Sequence, residues 1–268
     1  MYLKHILIPA VLCIFLAIVN GDFADLDFCS DAYMCKGQRE KHVLACNNNG
    51  GFSDCCPENA KIIPMTDEFK QLVLDEHNKY RNEIAGGSKG LKPAVAMATL
   101  EWDNELAYFA ELNVKQCETL HEEEKCFKTA RYNTLGQNID WLFYTSDRDC
   151  PTIYNDLKEH IRDKWYKEHL NCEQAAVNSY RPQRKNTIDK FGRMVMDRNN
   201  RIGCAAVIIE ATFTVNVLFT CNYARRLLCN KPIYRSGKKA GSDCKSGKNP
   251  KYPNLCSTEE DVDPNNYK

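Results

Sequence analysis

Few side chains in this chain stand where chemistry could be done. His121 follows Cys117 by four residues and opens an acidic run ending at Cys126, HEEEKC. Glu168 lies three residues beyond Trp165 and continues a stripe of Tyr154, Leu157, Ile161 and Trp165, so its carboxylate turns inward. A carboxylate on such a stripe snorkels, pairs, or faces a cavity. His77 shares a face with Phe69, Leu72, Val73, Tyr80 and Ile84 and reads as a buried structural histidine bonded to backbone. His121 reads as a base or as a solvated loop residue whose acidic neighbours favour its charged form. A serine hydrolase needs a serine, a base and an orienting acid. HExxH is missing, and no serine is tied locally to His121. Catalysis is therefore not expected.

The elements that must hold these groups are legible from period and punctuation. A helix starts at Asp67 and stops at Gly86-Gly87, followed by a loop over Ser88 to Ala98. A second helix takes Asp103 as N-cap and Glu105 in its first turn. Its buried stripe is Leu106, Phe109, Ala110, Val114 and Cys117. Gly136-Gln137-Asn138 breaks the pattern ahead of an apolar run, Ile139 to Tyr144. A third helix begins at Asp149-Cys150-Pro151 and ends near Cys172. Residues 174–190 read as polar and irregular. Gly203 to Ile209 is apolar on both faces, as a central strand requires. Phe213, Val215, Val217, Phe219 and Cys221 then alternate with Thr212, Thr214, Asn216, Thr220 and Asn222, predicting a hairpin with one covered face.

Composition sets the compartment. Lys4 and His5 precede an apolar run over Ile6 to Val19, the pattern of a secretory signal peptide spanning 1–21. No later segment is apolar enough to span a bilayer. Of 15 cysteines, Cys13 leaves with the leader, and the even remainder reads as disulfides. No CxxC pair supports a zinc finger. The formal net charge of zero argues against wholesale nucleic-acid binding. No N-glycosylation sequon is present. Residues 22–66 form a cysteine-rich extension, 67–224 the main domain, 225–257 a stapled C-terminal extension, and 258–268 an acidic tail expected to fray. Nine cations (Arg225, Arg226, Lys231, Arg235, Lys238, Lys239, Lys245, Lys248, Lys251) face one acid, Asp243, between Arg225 and Lys251. That stretch is a possible sulfated-glycan surface or simply a solvated face.

WDNELAYFAELNVKQC, the histidine after it and the GQNI turn together resemble the CAP superfamily of cysteine-rich secretory proteins, antigen 5 and plant pathogenesis-related proteins. KC-x-x-TARY, RIGCAAVIIE, TFTVNVLFTCNYA and KNPKYPNLC are similar to insect antigen 5, a salivary and venom group. EHNKYRNEIA is similar to the family's opening helix. The resemblance runs from about Cys29 to Cys256. It implies an α+β fold, a three-layer α-β-α sandwich with disulfide-rich N- and C-terminal extensions. It also implies a cleft of two histidines and two glutamates able to bind zinc. By position these fall at His121, Gln137, Glu168 and Lys190, so two of the four are replaced. Zinc needs three or four imidazole, thiolate or carboxylate ligands. An ammonium repels the ion and an amide oxygen is a weak ligand, so no metal and no cofactor is expected. Lys190 is instead expected to pair with Glu168.

The resemblance implies disulfides Cys29–Cys46, Cys35–Cys126, Cys204–Cys221 and one from Cys117 to Cys55 or Cys56, taken as Cys56. Cys150–Cys172 and Cys244–Cys256 are taken as additional bridges, leaving Cys229 with Cys55. Sequence alone fixes none of these. Two binding roles follow for a secreted monomer that affects haemostasis or inflammation. One is capture of a small hydrophobic mediator (fatty acid, eicosanoid or sterol) in a channel lined by Trp141, Leu142, Phe143, Tyr144, Ile153, Tyr154, Leu157, Ile161 and Trp165, which would otherwise be core. The other is blockade of a host surface protein such as a platelet integrin. RGD is missing, and Asp147-Arg148-Asp149 is the nearest charged loop.

Overall fold

Apolar periodicity and caps place the helices, and two long apolar runs place the central sheet. The computed structural model describes residues 23, 26–35, 41–119, 126–145 and 149–266. The leader, His121 and Asp147-Arg148 lie outside the described residues. In chain order the elements are β1 (Met34–Cys35), β2 (Lys41–His42), β3 (Lys61–Ile63), α1 (Asp67–Ala85), β4 (Glu101–Trp102), α2 (Asn104–Val114), β5 (Gly136–Tyr144), α3 (Cys150–His160), α4 (Gln174–Asn178), α5 (Asp189–Val195), β6 (Arg201–Glu210) and β7 (Val215–Tyr223). The principal sheet runs β3-β6-β7-β5, with β4 added in parallel beside the start of β6. The α2 layer covers one face through Ala110 and Val114. Helices α1, α3 and α5 cover the other, where Phe69, Trp165, Phe191 and Phe219 share the main core.

Local chemistry sets the boundaries. Thr66 caps α1 by accepting from the Phe69 N–H, and Asp103 caps α2 by accepting from the Leu106 N–H. Gly87 turns the chain out of α1 at φ +86°. Asp149 caps α3, with a proline in its first turn. Beyond His160 the helix widens into a π turn, Ile161–Trp165, then tightens into a 3-10 turn, Tyr166–Asn171. Leu157, Ile161 and Trp165 are buried through the change.

Four features depart from the sequence reading. Residues 174–190 contain α4 and the start of α5. The N-terminal extension supplies a sheet strand, β3, paired with β6 from Lys61↔Ile208 to Ile63↔Ala206. The polar face of β7 is covered: Thr220 and Asn222 are buried, and Asn222 Nδ2 donates to the Leu106 carbonyl of α2 at 3.2 Å. The described part of the tail, to Asn266, is tied down rather than frayed. Pro264 is buried, Asn133 N donates to Asn265 Oδ1 at 2.7 Å, and the buried Arg225 donates to the Pro264 and Asn266 carbonyls.

Disulfides join Cys29–Cys46, Cys35–Cys126, Cys56–Cys117, Cys204–Cys221 and Cys244–Cys256. Cys55 and Cys229 are exposed free thiols, so the pairing of these two is not made. Topology separates them. Cys56 packs on the α2 face with Ala110 and Val114, whereas Leu227 and Ile233, flanking Cys229, pack in the core on the other face. Cys172 is a buried free thiol. The Cys150 side chain lies outside the described residues.

Candidate functional site

The side chains of β5 alternate between layers, and this decides which residues can meet. Ile139 and Trp141 pack on the α2 side, and Leu142 and Tyr144 on the other. Gln137 belongs with the first set. It is buried and donates to Asn222 Oδ1 at 3.0 Å. Asn138 and Asp140 point the other way, toward α3 and α5.

Asp140 is the hub of the cleft. Its carboxylate binds His160 Nε2 at 2.8 Å, accepts from Trp165 Nε1 at 2.6 Å, and pairs with Lys190 Nζ. Burial pushes the Asp140 carboxyl up, but His160, Lys190 and Trp165 outweigh it and hold it at about 2. Glu168 sits beside this group with a separate task. It accepts from the backbone N–H of Lys190 at 2.7 Å and of Phe191 at 3.1 Å, and from Thr187 Oγ1 at 3.1 Å. It thereby satisfies the first turn of α5, whose N-cap residue Ile188 has no side-chain acceptor to offer. Burial raises the Glu168 pKa, against the opposing pull of those donors and of the Lys190 charge.

The expected Lys190–Glu168 side-chain pair is thus corrected. The ammonium goes to Asp140, and Glu168 takes the Lys190 backbone. Glu168 and Lys190 do lie together, whereas Gln137 is on the opposite face of β5. The sequence reading missed Asp140 and His160. The signal was there: one carboxylate inside the apolar run 139–144 must find partners. The donor set does not fit zinc. A lysine already neutralises Asp140, Glu168 is saturated by N–H and O–H donors, and the amide replacing a carboxylate is turned away. Among the described residues, no three His, Cys, Asp or Glu side chains converge as metal ligands.

From the cleft a bonded chain runs into the core. Asn138 Nδ2 donates to the Lys190 carbonyl at 3.1 Å and to Tyr223 Oη at 3.2 Å. Tyr223 Oη meets His77 Nε2 at 2.9 Å, and His77 Nδ1 meets the Val73 carbonyl at 2.8 Å. A carbonyl only accepts, so Nδ1 carries the proton and Nε2 accepts from the tyrosine. Burial depresses the His77 pKa to about 4, leaving a neutral structural histidine.

The nine proposed channel liners do not share one wall. Leu142, Ile153, Leu157, Ile161 and Trp165 are buried core, with Tyr144 and Tyr154 packed against them. Trp165 stacks on Phe219 at 5.0 Å, and Tyr154 on Phe69 at 4.7 Å. Trp141 faces the α2 layer, and Phe143 is 70% exposed. A cavity of about 320 Å³ exists elsewhere, between α1 and the C-terminal extension, beside Leu74, Trp102 and Tyr252. The basic stretch is also partly committed: Arg225 is buried, Lys251 pairs with Asp75 at 2.6 Å, and Arg235 with Asp243 at 3.4 Å.

Residues 74–223, from mid-α1 to the end of β7, match the family model described as CAP, the cysteine-rich secretory protein family. The chain belongs to that family. It is 33% identical over 240 residues to Venom allergen-1 of Aedes albopictus, covering 88% of this chain and 90% of that protein. It is 30% identical over 266 residues to Tabinhibitin 3 of Tabanus yao, covering 99% of each. The CAP fold is shared with the crystal structure titled NaASP2 with Zn2+ at a TM-score of 0.54 and 22% identity, covering 75% of this chain and all of that one. Among the described residues no helix is long and apolar enough to cross a membrane.

Proposed function

We propose that this CAP-family member is a secreted, non-catalytic ligand that blocks a host surface protein and so modulates haemostasis or inflammation. The observation that carries the reading is the closure of the cleft. Asp140 takes three donors and Glu168 takes three more, so neither carboxylate is free to act as a base. The packing of the apolar interior supports a surface-mediated role over capture of a hydrophobic mediator. Tabinhibitin 3 and Venom allergen-1, both insect proteins, agree in kind with an exported inhibitor or allergen.

Two measurements test it together. Native mass spectrometry after incubation with fatty acids, leukotrienes and sterols is expected to return the bare protein mass. Labelled protein is expected to bind washed platelets saturably and to lower their aggregation. A discrete lipid adduct of a few hundred daltons, with no platelet binding, would replace this reading with mediator capture.

A further inference from the structure

Strand β5 is last in the order β3-β6-β7-β5, and the register of the sheet decides which of its main-chain groups are already bonded. In an antiparallel ladder a residue turns its N–H and C=O to one neighbour, and the next residue turns to the other. Between β6 and β7, Ala224 N donates to the Arg201 carbonyl at 3.2 Å, and Ala211 N to the Thr214 carbonyl at 2.8 Å. These bonds flank the paired stretch from Ile202↔Tyr223 to Glu210↔Val215. The even-numbered residues of β7 therefore bond to β6. Cys204 and Cys221 agree: their Cα atoms are 4.1 Å apart, the close spacing of a pair that shares no ladder bond. The odd-numbered residues of β7 are left for β5, where they meet Gly136, Asn138, Asp140, Leu142 and Tyr144. Ile139, Trp141 and Phe143 consequently aim their N–H and C=O away from the sheet. Among the described residues nothing bonds to these outer groups.

Soluble proteins blunt such an edge with lysine, proline, a bulge or a very short strand. β5 has none of these. It is nine residues long and keeps one unbroken register with β7. Its only charge, Asp140, turns to the α3 side and is held there by Lys190 and His160. Ile139 and Trp141 are half-buried, Phe143 is exposed, and the Trp141 and Phe143 rings stack at 6.3 Å. The outer edge is an apolar, uncharged template for another strand.

The template is its own complement. A two-fold axis at Trp141 lays β5 antiparallel to β5 of a second copy, with tryptophan opposite tryptophan and Ile139 opposite Phe143. All three outward residues then fall in hydrogen-bonded pairs, each exchanging both of its N–H···O bonds. Their side chains share one face, so indole meets indole and the exposed phenyl ring gains a β-branched neighbour, pairings that stabilise antiparallel ladders. Asp140 comes opposite Leu142, so no like charges meet, and a formal net charge of zero puts no long-range repulsion between copies. A flexible segment of another protein would have to be ordered to add a strand here, whereas a second copy brings one already folded.

We propose that this protein self-associates as a two-fold dimer through the outer edge of β5, joining two sheets into one. The dimer replaces the monomer expected from sequence, and it does not depend on the protein-ligand reading above.

The test is sedimentation velocity, with the exposed thiols of Cys55 and Cys229 alkylated so that no intermolecular disulfide contributes. Monomer is expected to convert to dimer as concentration rises from about 1 to 200 µM, the range of a small interface. Over the same range, residue-resolved amide exchange is expected to slow at Ile139, Trp141 and Phe143 and to stay unchanged at Asp140 and Leu142, which already bond to β7. Phe143→Pro deletes an outward N–H at a position where a solvent-facing edge tolerates proline, and it is expected to weaken the dimer about tenfold or more, because the loss occurs twice per dimer. Phe143→Thr keeps the N–H and removes only the ring, with a loss of about threefold. Should Phe143→Pro fail to fold, Phe143→Thr and the exchange pattern decide. A monomer at every concentration overturns the proposal. So does a dimer that Phe143→Pro leaves intact, or one that forms without protecting the three outward amides.

Discussion

Asp140 is a carboxylate ringed by three donors, and its removal would strand all of them. Asp140→Ala leaves the Trp165 indole N–H and the Lys190 ammonium without their acceptor in a half-buried place. The expected loss is roughly 2–3 kcal/mol, read as a lower urea midpoint at unchanged slope. An unchanged midpoint would mean water replaces the carboxylate at no cost. The same residues carry a prediction about metal in solution. Saturating zinc is expected to leave the melting temperature of wild-type protein unchanged, because a bound ion would raise it by mass action. The pH dependence follows from His77. Its folded pKa, about 4, lies below the unfolded value near 6.5, so the unfolded chain binds the proton first. The His77 contribution is whole above 6.5 and is lost as pH falls through 4, amounting to roughly 3 kcal/mol across the window. Asp140 acts with the same sign at lower pH, and Glu168, whose pKa is raised, acts against both. Thermal melts from pH 7 to 4 should show a falling midpoint. A flat profile would deny the buried neutral histidine.

At the scale of elements, the tightest joint is between β6 and α2. A Cβ placed on Gly203 would lie 2.1 Å from the Ala107 nitrogen and 2.5 Å from the Asp103 carbonyl oxygen, both backbone atoms of the helix and its cap. Backbone cannot rotate aside as a side chain would. Gly203→Ala is therefore expected to cost more than about 4 kcal/mol and to abolish recovery of folded protein, checked by yield and near-ultraviolet dichroism. Wild-type yield would show that the helix can retreat. The helices and the apolar strands were legible because burial imprints a period on sequence, as at Leu106, Phe109 and Ala110. The polar side of β7 was not. Thr220 and Asn222 look like solvent-facing residues, yet they are buried because α2 supplies acceptors that the strand's own sequence does not reveal. The cleft was half legible for a related reason. Glu168 announced itself by extending an apolar stripe, but the destination of the Lys190 ammonium depended on Asp140, fifty residues away and inconspicuous within an apolar run.

At the scale of the whole molecule, the C-terminal segment is structural. Arg225, Arg198 and Asn200 donate to carbonyls between Val262 and Asn266. Deleting residues 261–268 takes acceptors from a buried guanidinium and should lower stability by about 2 kcal/mol, measured by urea unfolding of the shortened chain. Equal stability would return the tail to a passive role. The strand order has a consequence in time. Strand β5 hydrogen-bonds only to β7, which is completed 79 residues later. At ribosomal speed that delay is on the order of ten seconds. Throughout it the emerging chain holds every cysteine of the Cys29–Cys46, Cys35–Cys126 and Cys56–Cys117 bonds but no sheet to align them. Nascent-chain oxidation therefore runs ahead of the template, and the adjacent thiol of Cys55 competes with Cys56 for Cys117 during that interval. A disulfide isomerase, acting before β7 arrives, is the agent whose supply would set how much of the chain reaches the observed pairing.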